Sequence, residues 1–299
     1  MRRLVLLSII WGWSFLLIKV AVAGMSPVTV AWARVTLGAG FLAVLLRLRG
    51  LKLPMDRRLW RHFGLVGLAG SALPFTMLAW GEQRISSGLT SVLNASTPLF
   101  TAVCAVILLH EGLRRVQVVG LLVGIVGVAV AAGMGRSDLT GSSLGGSMAS
   151  VLAGLCYGFT FTWSKRHLMG VTPMVAAFGQ LTAASALLLP FAVVTSTIEG
   201  VELSPTRVVA ISVLGLVGSG LAYVLNFRII AELGPTRASL VTYLIPIVAV
   251  GVGIAVLDEP FQVRALAGGL LIIIGIALVN RGRTTRATPS PALAAPPLT

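Results

Sequence analysis

The sequence predicts an all-α polytopic membrane protein with ten transmembrane helices arranged as two inverted five-helix repeats. Three observations carry this. Hydrophobic residues make up 56% of the 299 and charged residues 11%, with a mean hydropathy of +0.96; a soluble domain carries about 25% charged residues. Apolar stretches of about 20 residues recur, each long enough to cross a bilayer as a helix. The chain is also written twice: residues 67–73 read GLAGSAL and residues 215–221 read GLVGSGL. The same offset of 148 positions pairs Ser91 with Ser239, Pro98 with Pro246, Glu111 with Glu259, Gly120 with Gly268 and Gly127 with Gly275. Nearer the start the offset is 146. There Trp11-Gly12-Trp13-Ser14-Phe15 faces Tyr157-Gly158-Phe159-Thr160-Phe161, Lys19 faces Lys165 and Pro27 faces Pro173. A repeat this long is a duplicated half-structure, and in a membrane chain it points to a transporter with its site between the halves.

The helices are expected at residues 4–23, 28–46, 62–81, 89–109, 116–134, 144–164, 172–194, 208–231, 236–257 and 264–281. The first could pass for a secretory leader, because Arg2-Arg3 precedes an apolar run. The match of Trp11–Lys19 to Tyr157–Lys165 makes it the first helix of the fold instead. Pro27 and Pro173 start the second and seventh helices, where a missing N–H costs little. The repeats span 1–136 and 142–283, and the Ala/Pro-rich tail 287–299 is expected to be disordered.

Loop charge then sets orientation. Arg2, Arg3, Arg47, Arg49, Lys52, Arg57, Arg58, Arg61, Arg114, Arg115, Lys165, Arg166, Arg228, Arg237, Arg281, Arg283 and Arg286 fall on one side. The other side holds only Lys19, Arg84, Arg136, Arg207 and Arg264. The positive-inside rule places both termini in the cytoplasm. It also accounts for the net charge of +14 without a nucleic-acid partner, since no basic domain exists. Five crossings per half make the second half enter from the opposite face, so the halves are inverted copies.

Pro98 and Pro246 sit in the middle of the fourth and ninth helices. A proline there frees the carbonyl four residues back, which belongs to Asn94 or Thr242. Two kinked helices with polar groups at mid-depth suggest a substrate site with two hinges, or kinks satisfied by neighbouring helices. Trp11 and Tyr157 precede a glycine in helices one and six, with Ser14 and Thr160 three residues on and near the same face. Phe75, Tyr223, Asn226 and Tyr243 extend this candidate set of substrate-binding residues; ordinary interhelical packing is the alternative. Arg34 is the one cation clearly inside a span, away from its ends. It could draw a substrate carboxylate or pair with Glu82 or helix-end carbonyls; the repeat replaces it by Gln180.

Other features are quieter. No Asp or Glu falls in the interior of an expected span, and Glu111 and Glu259 should cap or pair at turns beside Arg114 and Arg264. Small multidrug pumps place a carboxylate in the membrane for proton exchange, and this chain lacks it. His62, His110 and His167 lie at helix ends and form no expected cluster. Cys104 and Cys156 read as small core residues, with no disulfide framework or zinc spacing. Gly120, Gly124, Gly127, Gly268 and Gly275 put small residues on one face of helices five and ten, as scaffold or as a homodimer surface. No Ser/His/Asp set, metal cluster or phosphate loop appears, so neither an enzyme nor a cofactor or metal is expected.

These residues together resemble the EamA-like transporters of the drug/metabolite transporter superfamily. The resemblance covers residues 4–281. It rests on Trp11-Gly12 with Ser14-Phe15, on Pro27 with Arg34, and on Ser91 to Pro98 ending in Leu109-His110-Glu111. The second half repeats the last as Ala238-Ser239 to Pro246, ending in Leu257-Asp258-Glu259. It implies a ten-helix inverted repeat that exports amino acids and related small metabolites across the bacterial inner membrane. It further implies a cavity lined by helices one, three, four, six, eight and nine, bordered by Trp11, Asn94, Tyr157, Tyr223 and Tyr243. Thr97 before Pro98 and Tyr157 in helix six argue against an aromatic-only substrate range. The expected partners are a small-molecule substrate and the lipid bilayer. Export of drugs, organic cations or nucleotide-linked metabolites, and a non-transporting scaffold, are the alternatives.

Overall fold

The computed structural model describes residues 2–53, 55–109, 112, 114–133, 141–233, 238 and 241–281. Ten helical segments run through them: α1 (Arg2–Ala21), α2 (Pro27–Leu48), α3 (Arg57–Glu82), α4 (Ser87–Leu109), α5 (Arg115–Ala132), α6 (Gly141–His167), α7 (Pro173–Glu199), α8 (Pro205–Leu233), α9 (Val241–Leu257) and α10 (Val263–Arg281). Among the described residues there is no strand. All but the 17-residue α9 are long and apolar enough by themselves to cross a membrane. Expectations placed on His110, Glu111, Arg136, Arg237, Ser239 and the 287–299 tail lie outside the described residues.

Hydroxyl and carboxylate side chains start the helices by accepting N–H groups that the first turn leaves unpaired. Ser26 accepts from the Thr29 N–H at 3.2 Å, Asp56 from Arg58 at 2.8 Å, Ser86 from Leu89 at 3.2 Å and Ser204 from Arg207 at 3.3 Å. Asp56 thus begins α3 at Arg57 rather than residue 62. Ser204 with Pro205 begins α8 before the expected 208. The seventh helix continues through Pro190 to Glu199, past the expected 194.

The helices pack in a pattern that survives exchange of the halves. The first lies on α9 as α6 lies on α4, α3 meets α6 as α8 meets α1, and α2 pairs with α7 and α5 with α10. The α5–α10 contact is glycine on glycine. A methyl at Gly120 would stand 2.5 Å from the Gly275 oxygen, and one at Gly268 would stand 2.5 Å from the Gly127 oxygen. Those glycines are therefore consumed within one chain, as scaffold. The opposite faces of this pair, with Leu122, Ile125, Val126, Leu270 and Ile274 exposed, are apolar surface for lipid.

Two expectations about helix shape change. The strongest duplicated stretch is π-helical in both copies, at Leu68–Ala72 in α3 and Leu214–Leu221 in α8. The expected matching kinks at Pro98 and Pro246 are unlike each other. The fourth helix stops at Asn94 and restarts at Thr97, whereas α9 stays helical through Pro246. Local side chains explain this. Ser96 donates to the Leu93 carbonyl at 2.6 Å and Thr97 to the Asn94 carbonyl at 2.7 Å, replacing the helical ladder. The matching stretch Tyr243-Leu244-Ile245 has no short hydroxyl side chain to do so. The carbonyl expected to be free at Asn94 is therefore taken.

Glu259 does not pair beside Arg264. Its carboxylate crosses to the other half and accepts from the Ser87 N–H at 2.8 Å, the Ser87 hydroxyl at 2.9 Å and the Gly88 N–H at 3.2 Å, capping α4. Two histidines do cluster, contrary to expectation. His62 at the start of α3 stacks on His167 at the end of α6 with centroids 4.6 Å apart, and His167 stacks on Trp163 at 4.1 Å.

Candidate functional site

A cavity opens where the two halves meet. The first helix contributes Trp11, Ser14, Phe15 and Ile18; α3 contributes Gly70, Phe75 and Leu78; and α4 contributes Asn94. The second half contributes Tyr157, Thr160, Phe161 and Ser164 from α6, Tyr223, Asn226, Phe227 and Ile230 from α8, and Thr242 and Ile245 from α9. Arg34 from α2 and Gln180 from α7 complete the wall.

The π segments shape this wall. A π turn widens the helix and displaces carbonyls from the i−4 ladder, which is why such turns recur at functional sites. The Gly218 carbonyl accepts from the Trp11 indole N–H at 3.2 Å and from an Arg34 Nη2 hydrogen at 3.5 Å. The Gly70 carbonyl accepts from the Tyr223 hydroxyl at 2.5 Å. The serine in each copy of the duplicated motif then receives a side chain from the opposite half. Arg34 Nε donates to Ser219 at 3.1 Å, and Gln180 Nε2 donates to Ser71 at 2.9 Å. Arg34 and Gln180 are repeat partners, as are Ser71 and Ser219. One network thus occurs twice, related by exchange of the halves. A methyl at position 70 would lie 2.6 Å from Thr160 and 2.8 Å from Gln180, so both side chains would have to move to admit one.

Aromatic rings pack around the polar groups. Tyr223 sits edge-on to Trp11 at 6.0 Å and to Phe75 at 6.1 Å. The Arg34 guanidinium lies 3.7 Å above the Phe75 ring, an attractive cation–π placement. Arg34 is nearly fully buried, and its hydrogen-bond partners are neutral. Among the described residues it makes no ion pair, so of the alternatives for Arg34 the Glu82 bridge does not form, while a helix carbonyl, Gly218, is engaged. The charge is therefore uncompensated at contact range and borders the cavity.

Other polar groups lack partners. The side-chain oxygens of Asn94, Asn226 and Gln180 are buried and accept no hydrogen bond from any described residue. A buried carbonyl oxygen without a donor is costly, roughly 1–3 kcal/mol each. The hydroxyls of Ser14 and Thr160 behave alike in the two halves. Each donates to the carbonyl four residues back, at Ile10 and Cys156, at 2.9 Å.

The cavity thus gathers Trp11, Ser14, Phe75, Asn94, Tyr157, Thr160, Tyr223 and Asn226 with Arg34. It does not gather Tyr243. That ring joins Pro246, Val92, Val250 and Ala265 at a second cavity between α4, α9 and α10. An unbroken α9 turns about 100° per residue, so Thr242 and Ile245 face the centre and Tyr243 turns away. Pro98 is buried at the second position of the restarted α4, where its missing N–H breaks no hydrogen bond. Sequence reasoning missed Gln180 as a lining residue. Its signal was present in the alignment of the repeats, where it stands opposite Arg34.

Known proteins resemble this chain over nearly its whole length. The family model of the EamA-like transporter family matches residues 3–133 and again residues 144–281. A probable terminal-alkyne amino-acid exporter of Streptantibioticus cattleyicolor is 30% identical over 93% of this chain and 92% of its own length. The uncharacterized inner membrane transporter YedA of Escherichia coli K12 is 29% identical over 93% and 89%. The uncharacterized transporter YoaV of Bacillus subtilis is 24% identical over 92% and 94%. One solved crystal structure aligns with a TM-score of 0.66 at 18% identity, covering 94% of this chain and 99% of that one, a likeness of fold alone.

Proposed function

The chain belongs to the EamA-like transporter family, and we propose that it exports small zwitterionic metabolites, amino acids foremost, across a bacterial inner membrane by alternating access. The observation that carries this reading is the pairing, in one cavity, of an uncompensated buried guanidinium with unpartnered amide oxygens. A carboxylate supplies what Arg34 lacks, and a guanidinium binds carboxylate with two parallel hydrogen bonds where geometry allows. An ammonium supplies donors to Asn94 and Asn226. The aromatic walls from Trp11, Phe75, Tyr157 and Tyr223 receive an apolar side chain. This places the ammonium on side-chain oxygens rather than on carbonyls freed by proline.

The buried cation also weighs against organic cations and cationic drugs, which it repels in a poorly screened site. The exchange-symmetric packing supports alternating access, because it gives two arrangements of related energy. Orientation with both termini cytoplasmic follows from the loop charges. The test is uptake and counterflow of radiolabelled amino acids in proteoliposomes. Transport should be seen with the wild type and fall at least about tenfold in Trp11→Ala, Asn94→Ala and Tyr157→Ala. A wild type that moves organic cations and no amino acid refutes the substrate class; unchanged transport in all three variants refutes the site.

A further inference from the structure

Glu82 ends α3 with a side chain that is completely buried. Among the described residues neither carboxylate oxygen has a hydrogen-bond partner. Its backbone carbonyl accepts from the Lys19 ammonium, which also donates to the Ile85 carbonyl at 3.0 Å. Sequence reasoning saw no acid within a span; the folded chain buries one at a span's end. A carboxylate taken from water without a donor is a costly charge, and the neutral carboxyl is far cheaper. A buried group of this kind, left unpaired in a membrane protein, is a functional candidate.

Three elements bring charged groups toward Glu82: foremost Lys19 on α1, then Glu259 on the turn after α9, then Arg34 on α2. The sixth helix, packed along the same part of α3, presents Gly146 and Ser150 and no charge among the described residues. Arg84, on the turn beyond Glu82, lies 3.6 Å over the Trp80 ring and donates to the Trp80 carbonyl. Lys19 is held on backbone carbonyls and Glu259 on the start of α4. Arg34 alone of the three also borders the cavity.

We propose that Glu82 is a proton-binding carboxyl linked to the substrate site through Arg34, so that a proton on Glu82 strengthens capture of the substrate's carboxylate. The proposal rests on Arg34 as the partner of that carboxylate. When Glu82 is ionised, part of the Arg34 field is already neutralised. A proton from water then adds to the carboxylate to give the carboxyl, and no other bond changes. Arg34 now offers its charge undivided to the cavity. Linkage makes the effect reciprocal: a carboxylate bound at Arg34 draws a proton from water onto Glu82, and its departure releases that proton to water.

The test is binding of a panel of radiolabelled L-amino acids to the purified protein between about pH 5 and about pH 7. Wild-type affinity should rise roughly fivefold or more toward acid. Glu82→Gln, which mimics the neutral carboxyl, should bind at the acid-limit affinity throughout and lose the pH dependence. Arg34→Gln should weaken binding at every pH. Wild-type affinity that is flat with pH, or a Glu82→Gln protein that keeps the wild-type slope or binds more weakly at all pH, overturns the proposal. Arg34→Gln binding like wild type, or no amino acid binding at all, removes the reading of Arg34 and the linkage with it. Should Glu82→Gln not fold, proton uptake by the wild type on binding, followed with a pH dye in weak buffer, decides: no uptake overturns the proposal.

Discussion

Gly12 and Gly158 follow the two cavity aromatics, Trp11 and Tyr157, and each lets its helix press on the proline-bearing helix of the opposite half. In Gly158→Ala the new methyl would stand 2.7 Å from the Thr101 nitrogen and 2.8 Å from the Phe100 carbonyl carbon. Ordinary contacts begin at 3.4 Å, so α6 must retreat from α4 by about 0.7 Å in a close-packed interior. Overpacking of that kind costs about 1–3 kcal/mol, and alanine returns about 0.8–1 kcal/mol of helix propensity. The expected net loss is about 1 kcal/mol. In Gly12→Ala the obstacle is a side chain, with Val248 Cβ at 2.5 Å and Cγ1 at 2.6 Å. Val248→Gly should therefore rescue Gly12→Ala, with a coupling energy of about 1 kcal/mol or more. No side-chain truncation rescues Gly158→Ala, because backbone atoms block it. Thermal unfolding of the detergent-solubilised variants measures both. A Gly158→Ala protein that melts at or above wild type, or a cycle at Gly12 and Val248 without coupling, refutes the packing argument.

Three further outcomes follow from the same contacts. Glu259→Gln weakens a charged cap that holds the start of α4, so it should cost about 2 kcal/mol and speed maleimide labelling of a cysteine placed at Ser87. Thr97→Val keeps shape but strips the hydroxyl from the Asn94 carbonyl, costing about 1–2 kcal/mol in thermal unfolding, whereas Thr97→Ser should be close to wild type. Arg34→Gln alone should weaken amino-acid binding about tenfold to a hundredfold. The exchanged pair Arg34→Gln with Gln180→Arg should recover most of that loss, because the cation moves to the equivalent place beside Ser71 and Tyr223; a folded double variant that binds no better than Arg34→Gln speaks against equivalence.

Much of the architecture was legible in the chain. Hydropathy and the repeat give the ten helices, because a bilayer leaves the backbone little choice but to close its own hydrogen bonds. The cavity side chains Trp11, Asn94, Tyr157 and Tyr223 were legible because helices align polar and aromatic groups by period. What escaped depended on hydrogen-bond competition and on register. GLAGSAL and GLVGSGL look like helix-packing motifs, and nothing in their composition announces a π turn. Pro98 and Pro246 look alike, yet Ser96 and Thr97 decide that only α4 breaks. Tyr243 turns outward because α9 does not break. Glu82 looked like a loop residue, and its burial is a property of the α1, α2 and α6 surroundings.

Some pairs of the two copies agree and others differ, and the contrast between the helix contacts and the cavity wall carries meaning. Where they agree, the residues join helices: Gly12 and Gly158 against α9 and α4, Gly120 with Gly268 and Gly127 with Gly275 along α5 and α10, Ser71 and Ser219 as acceptors for the opposite half. Changing such a residue alters a contact that both copies must make, so the duplicated architecture holds it fixed. Several pairs that differ face the cavity, which Phe15 and Phe161 line unchanged: Trp11 against Tyr157, Arg34 against Gln180, Phe75 against Tyr223, Asn94 against Thr242. A ligand without two-fold symmetry cannot be matched by a symmetric wall, since one end needs a cation and the other needs acceptors. A zwitterion is such a ligand. The loss of symmetry at these four pairs, where the glycine and serine contacts between helices are kept, is what a site for a small polar molecule with unlike ends requires.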